Sequence, residues 1–362
     1  MAPPRPLSAP AGIGGGGGAN AGTNAVAERW RPEVIIDGAL LPVWREAETG
    51  LARLDQALLG SDSALRAAWL EATRLDEVVR SSRCDGRATT LERVAVLEAD
   101  SALGLIEADD RFALSLLTAH RSLDRADSAE LVTPLGLATL YARGFHDPGE
   151  RPEPYVAPAA AALDVWLSSV APLVAAAGTR ALSGLLGPVA LLGEWLRAAP
   201  FETDSAGFAR LLVPVLAWRF GLTTGAVLTL GDRLDTGDSG GGVGPPVCGA
   251  ALRGPAARPR RWLGSVLSAV AVAAGDGQRR LATLSLRRQR WLGRLGRRRR
   301  HSRMAAAAGL ALATPLLSGR LLIERLGLSP RGATLIIAEL VALGILREVS
   351  GRSRFRLYTA IG

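Results

Sequence analysis

From Ser318 the chain reads SGRLLIERLGLSPRGATLIIAELVALGILREVSGRSRFRLYTAIG, and the capping and turn residues of this stretch tightly limit its fold. Ser318 is placed to cap a helix carrying Leu321, Leu322, Ile323 and Leu326, because a serine hydroxyl accepts from the free amides of a first helical turn. Gly327 supplies the left-handed conformation that a tight turn needs. Ser329 then caps a second helix, with Pro330 at its first position, where a missing N–H costs nothing. That helix is expected to bury Leu335, Ile336, Leu340 and Leu343 and to stop at Gly344. Beyond it, ILREV and FRLYTA alternate around the turn SGRS, which predicts two strands.

Two capped helices across a tight turn, followed by a hairpin, make a winged helix-turn-helix, expected over residues 304–362. The second helix of such a unit enters the major groove. Its exposed first residues, Arg331, Gly332 and Thr334, are the candidates for base contact. Arg352, Arg354 and Arg356 on the wing would hold phosphates, which positions a protein on DNA without reading sequence. The segment resembles bacterial winged-helix regulators. The resemblance implies DNA as partner, with a homodimer matching paired half-sites, and protein contact is the alternative use.

Composition extends this to a mainly α chain. Hydrophobic residues make up 48% and aromatic residues only 5%, with alanine and leucine dominant, a mix that favours helices over sheets. The net charge is +9, and every basic residue is arginine. GC-rich coding accounts for the missing lysine, but the charge still attracts polyanions. The run RRQRWLGRLGRRRRHSR, Arg287–Arg303, is either a solvated helix face or a non-specific phosphate clamp. Cys84 and Cys248 are far apart, and His120, His146 and His301 are scattered, so neither a metal site nor a cofactor is implied. The longest apolar stretches run about 15 residues, short of the roughly 20 that span a bilayer. A cytoplasmic protein without a membrane partner is expected.

Residues 1–27, rich in glycine and proline, are expected to be a disordered tail. Their GIGGGGG lacks the GK[ST] ending of a phosphate loop. Residues 28–150 form an N-terminal helical region, with Leu51, Leu54, Leu58, Leu65 and Trp69 on helical spacing and Thr89 or Thr90 capping a later helix. A proline-rich linker covers residues 144–158. A second helical core follows over 151–303, carrying a flexible loop at 231–259.

Within that core, APFETDSAGFARLL, Ala199 to Leu212, is similar without a gap to HPFxDGNGRxxRLL, the motif of the Fic family. That family is an all-helical fold whose members usually transfer AMP to protein hydroxyls, and a winged helix often follows it. Pro200 and Phe201 match the motif, as do Arg210, Leu211 and Leu212. The reactive positions do not. The general-base histidine falls on Ala199, which has no titratable group. The acidic metal ligand falls on Thr203, and the anion cradle becomes Asp204, Ser205, Ala206 and Gly207. Gly207 thus replaces the first phosphate-binding arginine, and Asp204 sets a carboxylate where phosphates would lie. SSRCDGRATTLE, Ser81 to Glu92, resembles the segment whose S-x-x-x-E-G glutamate blocks nucleotide in many Fic proteins, with Asp85 and Gly86 at the last two positions.

The resemblance implies a helical Fic-like bundle without catalytic residues or bound metal, and it implies that Asp85 lies near Arg210. Aspartate is one methylene shorter than glutamate, so a water could complete the bridge, and Asp204 is a competing partner. The expected function is a DNA-binding transcriptional regulator with an inactive core. The alternatives are an AMP-transferring enzyme with a rearranged site, for which His120 and His146 are the early candidate bases, and an antitoxin-like protein-interaction module.

Overall fold

A computed structural model describes residues 36–99, 106–145, 157–176, 184–201, 205–231, 233, 259–296, 303–351 and 355–361. The expected tail, most of the linker and most of the 231–259 loop lie outside these residues. The chain is mainly helical. The body runs through α1 (Leu40–Leu59), α2 (Ser63–Cys84), α3 (Leu91–Ala99), α4 (Ala108–Ser122), the short α5 (Ser128–Leu131), α6 (Pro134–Phe145), α7 (Ala157–Ala176), α8 (Leu186–Ala198), α9 (Ser205–Arg219) and α10 (Pro259–Leu295). The C-terminal module follows as α11 (Arg303–Ala313), β1 (Leu317–Ser318), α12 (Gly319–Leu326), α13 (Pro330–Ala342), β2 (Leu346–Glu348) and β3 (Leu357–Ala360). Among the described residues no helix is long and apolar enough to cross a membrane.

Local chemistry sets most of these boundaries. Asp62 caps α2 by accepting from the Leu65 amide at 3.0 Å, and Thr90 accepts from the Arg93 amide at 3.1 Å to start α3. Before α4, Glu107 and Asp110 form a reciprocal capping box. Leu51, Leu54 and Leu58 lie on the buried face of α1, as their spacing predicts.

Two cores organise the packing. The larger draws on α1, α2, α4 and α6 to α9 together with the first half of α10, from Leu40 to Ala273. The regions expected at 28–150 and 151–303 therefore share one core. The smaller core joins the second half of α10 and parts of α1 and α2 to the C-terminal module. Helix α10, 37 residues and about 55 Å long at 1.5 Å per residue, runs through both. At its centre a Cβ on Gly277 would lie 2.9 Å from the Leu54 side chain and 3.1 Å from Trp69. Glycine there lets α10 approach closely enough for the Trp69 indole to donate to the Gly277 carbonyl at 2.8 Å.

In the C-terminal module the caps form as expected. Ser318 accepts from Leu321 at 3.0 Å, Ser329 accepts from Gly332 at 3.1 Å, and Gly327 and Gly344 take φ of 61° and 64°. One expectation fails. Leu335 is 62% exposed, and the inner face of α13 is Ala333, Ile337 and Leu340. Their spacing puts these three on one side of the helix, and Leu335, two residues from Ala333, projects from the other. A further short strand, β1, was not foreseen. It pairs with β3, giving an antiparallel sheet of order β1-β3-β2.

Ser318 has a second role. Its hydroxyl donates to the Ala99 carbonyl at 2.6 Å, fastening α12 to the end of α3. Ser318→Ala should cost about 2 kcal/mol, the sum of a lost cap and a lost buried bond. Ser329→Ala removes only an exposed cap and should cost about 1 kcal/mol. Urea unfolding midpoints check the order of the two, and equal losses would leave the bond to Ala99 without weight.

Candidate functional site

The loop between α8 and α9 carries Ala199, Pro200 and Phe201. Ala199 ends α8 in the left-handed conformation at φ 42°, its amide bonded to the Trp195 carbonyl at 2.9 Å. A β-carbon makes that conformation costly, and the buried ring of Phe201 secures it. Phe201 stacks on Tyr141 at 4.0 Å between centroids and meets Phe208 edge-on at 5.2 Å.

One turn into α9, Arg210 is buried, 2% exposed. Its Nη2 pairs with Asp85 Oδ1 at 2.5 Å and donates to the Ser81 carbonyl at 3.2 Å. Its Nε donates to the Ser81 hydroxyl at 3.1 Å. That hydroxyl donates in turn to Glu77 Oε1 at 3.0 Å, which also accepts from the Gly231 amide at 3.0 Å. The expected approach of Asp85 to Arg210 is therefore present, and no water is needed despite the shorter side chain. Gly207 provides the room: a Cβ there would lie 3.3 Å from Asp85 Oδ2, 3.5 Å from Arg210 Nη2 and 3.1 Å from Phe145. Asp85 closes α2 and Gly86 follows at φ 72°, which turns the chain away beside the ion pair. Asp204, the competing partner, lies outside the described residues, as does Thr203.

The electrostatics follow from burial. Desolvation opposes charge on Arg210, but the charge and hydrogen bond of Asp85 outweigh it and hold the guanidinium above its ordinary range. Burial pushes the Glu77 carboxyl up, against the bond from Ser81 and the charge of Arg210. Glu77 and the double role of Ser81 were missed in the sequence. The available signal was their separation of four residues, which stacks them on one helix face. His120, a candidate alternative base, is 3% exposed. Burial and the charge of Arg74 pull its imidazole down to about 3, so it is a neutral core histidine. His146 lies outside the described residues.

In the C-terminal module, Arg331 is exposed at the start of α13. Thr334 is exposed beside it, its hydroxyl donating to the Pro330 carbonyl at 3.0 Å. Arg356 is exposed and pairs with Glu348 across the hairpin at 3.5 Å. Arg352 and Arg354 lie outside the described residues. The arginine run divides. Arg288 pairs with Asp62 at 2.5 Å, while Arg294 and Arg303 donate to the carbonyls of Gly344 and Leu326, each at 2.6 Å. These three tie helices together, and Arg297 to Arg300 at the centre of the run lie outside the described residues.

Residues 306–360 match the family described as HTH DNA binding domain. The chain thus carries a helix-turn-helix domain of the DNA-binding class at its C-terminus. No curated protein matches the chain. Among solved structures it is similar to a Fic family protein from Desulfovibrio desulfuricans G20, at 14% identity over 90% of this chain and 97% of that one, with a TM-score of 0.48.

Removing one partner of a buried ion pair strands the other. Asp85→Ala should destabilise the fold by about 3 kcal/mol. Asp85→Ala with Arg210→Met should recover much of that loss, because the second change removes the stranded charge. Denaturant unfolding of the two single variants and the double variant closes the cycle, and strictly additive losses would mean that the pair is not coupled.

Proposed function

We propose that the chain is a cytoplasmic DNA-binding transcriptional regulator whose helical body is a catalytically inert, Fic-like core. The observation that carries the DNA reading is the helix-turn-helix match over residues 306–360, with Arg331 and Thr334 exposed at the start of α13. A homodimer would offer two such helices to paired half-sites. Selection of bound DNA from a random pool at two salt concentrations tests it, with a recovered motif expected. Arg331→Ala should then relax base preference with a loss of roughly 1–3 kcal/mol. Arg354→Ala should weaken all sequences alike and flatten the salt dependence. Identical behaviour of both variants on specific and random DNA would overturn the assignment.

The inert-core half rests on Ala199 and Gly207 at the positions of the motif's base and first arginine. Support also comes from Arg210, which is already engaged by Asp85. Purified protein with labelled ATP, magnesium and a cell lysate should label nothing above background. Robust labelling would make the chain an enzyme with a rearranged site.

The protein-interaction reading is favoured by one observation. Leu335 on α13 and Phe355 on the hairpin are each 62% exposed, and apolar groups of that size serve protein contact as readily as thymine methyls. Co-purification of a partner together with failure of the DNA selection would favour it.

A further inference from the structure

Away from the α8–α9 loop, an open cleft of about 640 Å³ lies among α2, α4, the turn 123–125, α6 and α12. Five arginines line it: Arg74, Arg121, Arg125, Arg143 and Arg325. Among the described residues two carboxylates, Glu71 and Asp124, share the lining. Arg74 forks onto Asp124, with one of its bonds at 2.8 Å. Arg121 bonds both Glu71 and Glu98, the latter on α3. Arg325, on the first helix of the helix-turn-helix, pairs with the same Glu98 at 2.8 Å. Three carboxylates therefore serve three arginines. Arg125 and Arg143 are exposed at the rim and make no hydrogen bond or ion pair with the described residues. The crowding is felt inside the cleft. Burial and the neighbouring Arg325 pull Arg121 down to about 9, even with two carboxylates beside it.

A second cleft of about 400 Å³ opens from the first and shares Ser122, Ala126 and Arg143 with it. Its wall is largely apolar, with Leu131, Leu135 and Leu140, and among the described residues Glu130 is the one charged lining residue besides Arg143. The combined shape has a surplus of planar guanidinium forks at one end and a leucine wall at the other. Guanidinium forks suit phosphoryl oxygens, which they bind bidentately. Cavities of this size hold small ligands. A DNA backbone would use the arginines but gain nothing from Leu135, which stands 78% exposed over the buried Leu131 and Leu140.

We propose that this two-lobed cleft binds a phosphorylated small molecule with an apolar body, its phosphate on Arg125 and Arg143 and its apolar part against Leu131 and Leu135. The ligand would lie where the helical body meets α12. Nothing in the proposal depends on what α13 recognises.

Calorimetric titration of the full chain with inorganic phosphate and with phenyl phosphate, in phosphate-free buffer, tests it. Phenyl phosphate should bind saturably and about tenfold more tightly than inorganic phosphate, the gain coming from apolar contact of the ring with Leu135. The variant Arg125→Ala with Arg143→Ala changes exposed side chains only and should weaken both ligands by about tenfold. Leu135→Asp should bring phenyl phosphate to the level of inorganic phosphate. Failure of both ligands to saturate, equal affinity for the two, or an unaffected double-arginine variant each overturns the proposal. So does a double-arginine variant that weakens DNA binding and flattens its salt dependence while neither small ligand binds, since that assigns the arginines to DNA phosphates.

Discussion

A guanidinium buried in a helical core needs a carboxylate and further acceptors, and much of the body follows from how Arg210 is held through Nε and Nη2, its Nη1 having no hydrogen-bond partner among the described residues. Desolvating a cation costs several kcal/mol unless a carboxylate and further acceptors surround it. Asp85 and both oxygens of Ser81 supply that surround from the last turns of α2. Meeting Arg210 ties the end of α2 to the start of α9, helices that are more than a hundred residues apart in sequence. The same chain of bonds runs through Glu77 to the Gly231 amide, so it also fixes the segment leaving α9. The edge of the expected 231–259 loop is thus pinned, and Arg233 adds an ion pair to Asp276 on α10 at 2.7 Å. Gly207 belongs to the same arrangement, because a Cβ there would crowd Phe145 and the Asp85 carboxylate.

The C-terminal module is joined to this body by packing and by polar contacts together. Helix α10 passes from one core into the other without a break. Ser318 holds Ala99, Arg325 holds Glu98, and Arg294 holds the Gly344 carbonyl. Each contact crosses between the body and the helix-turn-helix. The outward side of α13 stays clear of them, carrying Arg331, Thr334 and Leu335. A change in the body at α3 or α10 would therefore act first on the mounting of the module, not on the face it presents.

Much of the C-terminal module was legible in the chain. Ser318, Gly327, Ser329, Pro330 and Gly344 act within a few residues of themselves, so their roles survive any tertiary arrangement. The side of α13 that is buried was less legible. Its apolar residues nearly encircle the helix, and a weakly amphipathic pattern leaves the inner face undecided, which is how Leu335 came to be expected inside. The two-residue strand β1 had no signal of its own, since it exists only as a partner of β3. In the body, the pairing of Asp85 with Arg210 followed from a motif resemblance, while composition and spacing alone were silent on it.

The sequence by itself determined where the helices of the C-terminal module begin and end, which residues in the motif loop lack reactive groups, and that the chain carries a surplus of arginine. Those properties reside in single residues or in neighbours along the backbone. Only the tertiary structure decided what each arginine does. Arg210 is paired inside the core, Arg294 caps a carbonyl across the junction of body and module, Arg303 caps one within the module, and Arg125 and Arg143 stand at a cleft with no ion-pair partner among the described residues. The reason is physical. A guanidinium is the same group at every position, and its role depends on which distant carboxylates and carbonyls the packing of α2, α4, α10 and α12 brings within about 3 Å.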